Sequence, residues 1–281
     1  MFEFPEFISI PLDQWTSALV DWLTVQGEGL FDLIGEILLA PMLGLERFLL
    51  WIPWWVIILL AAGLAWRQKG WRMALGVFAG LFFIGALGLW DLAMKTLAIV
   101  FAAAILALIV GVPIGIAMAR SNRVSKVMRP ILDMMQTMPS FVYLIPALML
   151  FGLGKVPALL STLIYAVPPV IRLTDLGIRQ VPEDVIEASR AFGATGKQML
   201  LKVQLPLAAP TIMTGVNQTI MMALAMVVIA SMIGAGGLGT EVLNGIARLD
   251  VGRGFNGGIS IVIMAIIIDR LTQSASQQRS L

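Results

Sequence analysis

The sequence predicts an all-α protein, a polytopic bundle of about seven membrane-crossing helices. Three observations carry this. Of the 281 residues, 59% are hydrophobic and 13% charged, and mean hydropathy is +0.91. Soluble domains sit near about 45–50% apolar and about 25% charged. Apolar stretches of membrane length recur along the chain between short charged segments. Lysine and arginine are distributed unevenly between alternate segments, as they are in membrane proteins of fixed orientation.

The chain contains no cysteine and no histidine. Disulfides, thiol chemistry and cysteine metal sites are therefore excluded, and the commonest metal ligand and general base is missing. The net charge of +2 says little; its placement says more.

Residues 1–48 read as an extracytoplasmic segment. They hold Glu3, Glu6, Asp13, Asp21, Glu28, Asp32, Glu36 and Glu46 against Arg47. The start MFEFPEF is acidic and does not read as a cleavable signal peptide. Two amphipathic pieces are expected, near 12–23 and 30–39. In the second, Leu30, Leu33, Ile34, Ile37 and Leu38 share a face opposite Asp32 and Glu36. Such a segment either lies along a membrane surface or packs on the outer face of a bundle. Residues 49–90 form two accessory spans, 49–66 and 71–89. Trp51, Trp54 and Trp55 mark one end of the first, and Trp66 the other. Residues 91–273 hold the remaining spans. The first, 92–119, is long and is expected to bend at Gly111, Pro113 and Gly115. Spans 139–153 and 156–171 are short and proline-bearing, 207–233 is long, and 255–268 is short. Residues 274–281 are a tail.

Orientation follows from the cations. Arg67, Lys69, Arg72, Arg120, Arg123, Lys126, Arg129, Arg172, Arg179, Arg190, Lys197, Lys202, Arg270 and Arg279 fall on one side, fourteen in all. Arg47, Lys95, Lys155, Arg248 and Arg253 fall on the other, five. The richer side is cytoplasmic. The N-terminus is then outside and the C-terminus inside.

The longest cytoplasmic segment spans 172–206, and its stretch 181–206 is too charged for lipid yet helical in pattern. Pro182 suits a first helical turn, and Glu183 and Asp184 favour its N-terminus. Val185, Ala188, Ser189 and Phe192 fall on one face, and Gly193 comes next, where a left-handed cap ends a helix. A second helical piece is expected at 197–203. A solvated connection between two spans is the plain reading of this pattern.

Two further features bear on transport. Met135, Met138, Pro139 and Phe141 lie at the cytoplasmic approach to span 139–153. Pro139 interrupts regular helix there and frees backbone groups, which suits either a simple kink or a gate. Asn217, Gln218 and Thr219 lie inside span 207–233, where polar groups bond between helices or line a path. Asn217 and Thr219 cannot face one narrow cavity, so the Asn217/Met221 face is taken as the path. Gly234, Gly236 and Gly237 end this span in a turn expected to re-enter the bundle. Their spacing overlaps a dinucleotide fingerprint, but no strand–helix–strand unit surrounds them. No phosphate-binding GxxxxGK[ST] loop occurs, so the chain does not hydrolyse ATP by that route.

With these residues in place, the chain resembles the permease subunit of glycine betaine/proline ABC importers, the ProW type. The resemblance covers about 92–273 and rests on MQTMPSFVYLIP (135–146), FGLGKVPALLSTLIYAVPPVIRLTDLGIRQVP (151–182), LPLAAPTIMTGVNQTIM (205–221) and IASMIGAGGLG (229–239). Glu187-Ala188-Ser189, then Gly193 and later Leu205-Pro206, is similar to the EAA loop of such permeases, with Ser189 in place of the second alanine. The resemblance implies a type I ABC importer permease fold. It implies that Glu183, Glu187, Ala188, Ser189 and Gly193 couple to an ATPase, and it favours a path or gate role for Met135, Met138, Pro139 and Phe141; Asn217, Met221, Gly234, Gly236 and Gly237 are the other expected path residues. It further implies a permease homodimer with two ATP-binding subunits and an extracytoplasmic substrate-binding protein. The substrate is a small quaternary amine, which an aromatic cage on the binding protein would recognise. No cofactor belongs to this chain; ATP and magnesium sit on the partner ATPase. The partners include a lipid membrane and no nucleic acid. Residues 1–90 carry no comparable signature.

Two other classes compete. An ion-gradient-driven transporter of small zwitterions needs carboxylates or unwound ion sites inside the membrane. Here Asp91, Asp133, Asp175 and Asp269 sit at span ends. A membrane enzyme would have little chemistry to use without histidine, cysteine or paired buried carboxylates. Uptake that depends on a co-expressed ATPase separates the first reading from both.

Overall fold

Prolines and glycines decide where many helices of this chain stop, and every described element is helical. The structure is a computed structural model that describes residues 11–277. Glu3 and Glu6 of the acidic segment, and Arg279 with the end of the tail, lie outside the described residues.

Helix α1 (Leu12–Trp51) is one continuous helix of 40 residues, not two amphipathic pieces. Gly27 and Gly29 each cost only about 1 kcal/mol in a helix, too little to break it. Pro41 is accommodated within it. What ends α1 is Pro53: Ile52 is forced into extended geometry (φ −72°, ψ 129°). Helix α2 (Trp54–Lys69) leaves at 96° to α1, so residues 49–51 end α1 rather than begin α2. α1 packs along the start of α4 and on α6, with Met42 inside the main core. Gly70, at φ +86°, separates α2 from α3 (Trp71–Ala86), and the two form a hairpin against α13.

Helix α4 (Trp90–Arg120) contains Pro113 and runs through the core. Its glycines, expected to bend it, are contact points. A Cβ on Gly111 would lie 2.5 Å from Val170, and one on Gly115 2.7 Å from the Ile171 carbonyl oxygen. This four-residue small-residue spacing lets two backbones approach. The partner is α8 (Pro168–Arg179), which continues α7 (Lys155–Ala166) past Pro168 and Pro169. Together they span 155–179, so residues 172–179 are packed helix rather than loop. Thr174, Asp175, Gly177 and Ile178 are buried there.

Span 139–153 is shorter than expected. Helix α5 (Asn122–Thr137) stops before Pro139, a 3-10 turn comes next (Ser140–Tyr143), and α6 (Leu144–Phe151) leaves at about a right angle, 110° from α5. Helix α9 (Glu183–Ala191) lies outside the bundle. The second piece expected at 197–203 is not separate. The turn α10 (Gly196–Gln198) passes through a π-helical stretch (Met199–Gln204) into α11 (Leu205–Ala230). Pro206 sits in the first turn of α11, where its missing N–H does no harm. A short helix α12 (Leu238–Ala247) and the long α13 (Val251–Gln277) close the fold.

Among the described residues, four helical runs are long and apolar enough to cross a membrane, or six if each bent pair counts as one span. The shorter apolar α3 stands beside these. α11 is the central helix: it packs on α8, α7, α4 and α13. Its small residues Ala208 and Gly215 meet α8, with a Cβ on Gly215 only 3.0 Å from Leu173.

Candidate functional site

Helix α9 is built to be rigid and to stand clear of the fold. None of its residues is buried. Its end is closed by a paired motif: the Gly193 N–H donates to the Arg190 carbonyl and the Ala194 N–H to the Ser189 carbonyl. Both bonds need Gly193 in the left-handed region, and its φ is +78°. Ser189 turns its hydroxyl inward along the helix and donates to the Val185 carbonyl at 2.7 Å. It therefore keeps the compact profile of a small residue. Glu183, Glu187, Ala188 and Gly193 are exposed, and Phe192 is 93% exposed.

Residues 195–200, on the C-terminal side of α9, tie this helix to the bundle. Thr195 and Gln198 form a reciprocal capping box. Arg120, the last residue of α4, donates to the Gly196 carbonyl at 2.9 Å. Leu200 is buried with Ile178 and Ala208, which joins the π-helical stretch to α8 and α11. The segment after α9 is thus tied to three core helices, α4, α8 and α11.

A charged lattice beside this connection is not evident from the sequence. Arg172 donates to Asp133 at 2.5 Å, joining α8 to α5. Asp175 is buried and accepts from Arg179 at 2.6 Å, with Arg129 3.7 Å away. Arg179 also donates to Asn122 at 2.9 Å and to the Met118 carbonyl at 2.6 Å. The spacing Asp175–Arg179, four residues on one helix, was the available signal. The partners from α4 and α5 were not visible from spacing.

The expected path residues fall in three places. At the elbow between α5 and α6, Met135 and Met138 are half-buried while Pro139 and Phe141 are exposed. Tyr143 donates to the Met135 carbonyl across this elbow and meets the Tyr165 ring edge-on at 6.0 Å. On α11, Asn217 is committed to α13: its amide donates to Asp269 at 2.9 Å, and its carbonyl accepts from Thr272. Of the two roles open to Asn217, it takes the interhelical bond. Met221 packs against the core, and Thr219 is fully buried. The open side of α11 is instead the stripe Thr214, Gln218 and Ala225, continued by Met232 in the turn that follows. At the far end, Gly234, Gly236 and Gly237 all have positive φ, 90°, 79° and 81°. They turn the chain back into the bundle, as expected. The Leu238 N–H donates to Thr96 of α4 at 2.8 Å, and the Ile233 carbonyl accepts from the Gly154 N–H at 2.8 Å. A Cβ on Gly237 would collide with Thr96.

A packed bundle of helices long and apolar enough to cross a membrane, with one short helix carrying no buried residue, defines a polytopic membrane protein. Residues 111–277 match the family described as binding-protein-dependent transport system inner membrane component, and the chain belongs to that family. It is a multi-pass inner-membrane protein. The chain is 52% identical to the glycine betaine/proline betaine transport system permease protein ProW of Escherichia coli (strain K12), over 95% of this chain and 76% of the relative. It is 48% identical to the glycine betaine/carnitine transport permease protein GbuB of Listeria monocytogenes, over 98% of each chain. Among solved structures, the inward-facing MetNI methionine ABC transporter matches with a TM-score of 0.60 at 22% identity, over 66% of this chain and 93% of that one. The fold is therefore that of a type I ABC importer permease. The ion-gradient reading is not supported.

Proposed function

We propose that this chain forms the translocation pathway of an ATP-driven importer for glycine betaine or a related quaternary amine. The observation that carries the proposal is α9: a braced helix with no buried residue, bearing Glu187-Ala188-Ser189 and closed by Gly193. Glu183, Glu187, Ala188, Ser189 and Gly193 offer the ATPase an acidic, small-residue ridge. The anchors through Arg120 and Leu200 carry its movement to α4, α8 and α11. Two copies of the chain, two ATP-binding subunits and one extracytoplasmic binding protein form the working assembly, with ATP and magnesium on the ATPase. The N-terminus is outside.

The amine substrate is supported by the names of relatives, which include glycine betaine, proline betaine, carnitine and trimethylamine N-oxide transport permeases. The path runs along the open stripe of α11 through Gln218 and past the elbow at Met138, Pro139 and Phe141. The glycine turn Gly234–Gly237 closes its outer end. Met135 supports the elbow from beneath, and Asn217 and Met221 hold α11 in register with its neighbours.

The test is uptake of labelled glycine betaine in cells that lack other compatible-solute importers. Uptake is expected only when the chain is expressed with its ATPase and binding protein, and Glu187→Lys is expected to abolish it. Uptake without the ATPase would overturn the proposal.

A further inference from the structure

A cavity of about 440 Å³ opens between α2, α3 and α4, at the end of the α2–α3 hairpin opposite Gly70. None of its lining residues belongs to α9, the elbow or the glycine turn. Each helix contributes one aromatic ring: Trp54 from α2, Phe82 from α3 and Trp90 from α4. One charged group joins them, Asp91. A mostly apolar cavity with a single well-placed polar group is the usual form of a small-molecule site.

The rings stand as walls. Trp54 and Phe82 have centroids 6.5 Å apart and planes inclined at 60°, so they form an open corner. Phe78 lies parallel to Phe82, at 6.1 Å and 5°, and backs it. Trp54 and Phe82 are each about half exposed, which leaves ring surface for a ligand. Beside Trp90 the space is kept clear by Gly85, where even a Cβ would come no nearer to that ring than 3.9 Å. The electrostatics favour a cation. Aromatic faces carry negative potential and hold methylated ammonium groups well. Asp91 is exposed and, among the described residues, makes no ion pair or hydrogen bond. In the first turn of α4 it also complements the positive end of that helix. No lysine or arginine among the described residues lines the cavity; Lys95, one turn further along α4, stands outside its lining.

We infer that this cavity binds a quaternary ammonium monocation of the choline type. The trimethylammonium group lies in the corner of Trp54 and Phe82 against Trp90, and Asp91 is its counter-charge. A ligand with an anion of its own, such as glycine betaine or a phosphocholine lipid, would set that anion against Asp91 and bind less well. Trp51 and Trp55, exposed beside Trp54, belong to the class that sits at headgroup level, so a dissolved cation can reach the cavity. The cavity would hold such a cation whether or not the chain transports one. A bound cation would tie the α2–α3 hairpin to α4.

The test is saturation-transfer NMR on the methyl protons of choline, with the purified full chain in an uncharged maltoside detergent and no ATPase or binding protein present. Choline is expected to give a saturable signal that tetramethylammonium displaces. Its neutral isostere 3,3-dimethyl-1-butanol and glycine betaine are each expected to displace it at least about tenfold less well. Phe82→Leu, which keeps an apolar wall and removes the ring, is expected to weaken choline binding about tenfold. Asp91→Asn is expected to weaken it about fivefold and to narrow the preference over glycine betaine. Both side chains are exposed, so the variants are expected to keep the wild-type unfolding midpoint. Equal displacement by the neutral alcohol would show a merely apolar cavity and overturn the proposal, as would equal displacement by glycine betaine. Choline binding that either variant leaves unchanged would place the cation elsewhere, the transport path included, and overturn it. So would loss of the choline signal when phosphatidylcholine is added, which would assign the cavity to a lipid headgroup. Uptake is not measured, so a failure here is distinct from a failure of the transport function.

Discussion

Gly193 holds a backbone conformation, φ +78°, that costs other L-residues roughly 1–2 kcal/mol. Within the chain there is room for a side chain, since a Cβ there meets nothing within 4 Å. Replacement therefore acts through the backbone and through the partner, not through the core. Gly193→Asp is expected to abolish uptake at normal membrane levels, whereas Gly193→Asn, which tolerates the left-handed region, is expected to retain part of it. Wild-type uptake by Gly193→Asp would remove the coupling role of α9. Glu241 on α12 makes a second prediction. Arg253 donates to it through two nitrogens, at 2.5 and 2.8 Å. The hydrogen bond from Arg253 holds its carboxyl below the usual value of 4.5. The stabilisation is then fully present above pH 4.5 and is lost as pH falls through the lower folded value. Amide exchange across α12 should quicken in that acid range, and Glu241→Gln should exchange quickly at every pH. At this scale the sequence revealed the Gly193 cap, because only glycine or asparagine ends a helix readily that way. It did not reveal the Glu241–Arg253 pair, twelve residues apart across a turn.

α4 and α8 touch through glycine on one side and β-branched residues on the other. Gly115→Leu would drive a side chain into Thr174 and the Ile171 carbonyl. It is expected to destabilise the protein by about 1–3 kcal/mol, read as a lowered unfolding midpoint in detergent. An unchanged midpoint would mean that the two helices are not clasped there. The facing of α11 gives a sharper element-scale prediction. Gln218→Cys should react with a bulky thiol reagent and lose uptake, and substrate with binding protein should slow that reaction. Met221→Cys, packed on the core, should remain inert. The reverse result would restore the Asn217/Met221 face as the path. Sequence periodicity established that the two faces differ, but not which one the neighbours cover. That depended on Asp269 and Thr272, more than fifty residues away.

For the whole molecule, the orientation can be checked directly. In intact cells an impermeant thiol reagent is expected to label Ser17→Cys, on the exposed part of α1, and to spare Ala188→Cys on α9. The opposite pattern would invert the topology and put α9 out of reach of a cytoplasmic ATPase. By itself the sequence determined the all-α membrane class, and it set an expected side for each loop and an expected coupling segment. Those properties depend on local quantities: runs of apolar residues, the sign of loop charge, and proline and glycine where helices stop. It also supported the transport family, through short motifs that remain contiguous. Only the tertiary structure decided that α1 is a single helix turned 96° from α2, that 172–179 is packed helix, and that Asn217 bonds to α13. The physical reason is the same in each case. Whether an amphipathic or polar stretch is covered, and by what, depends on surfaces brought together from distant parts of the chain, and a local pattern of residues carries no record of its neighbours in space.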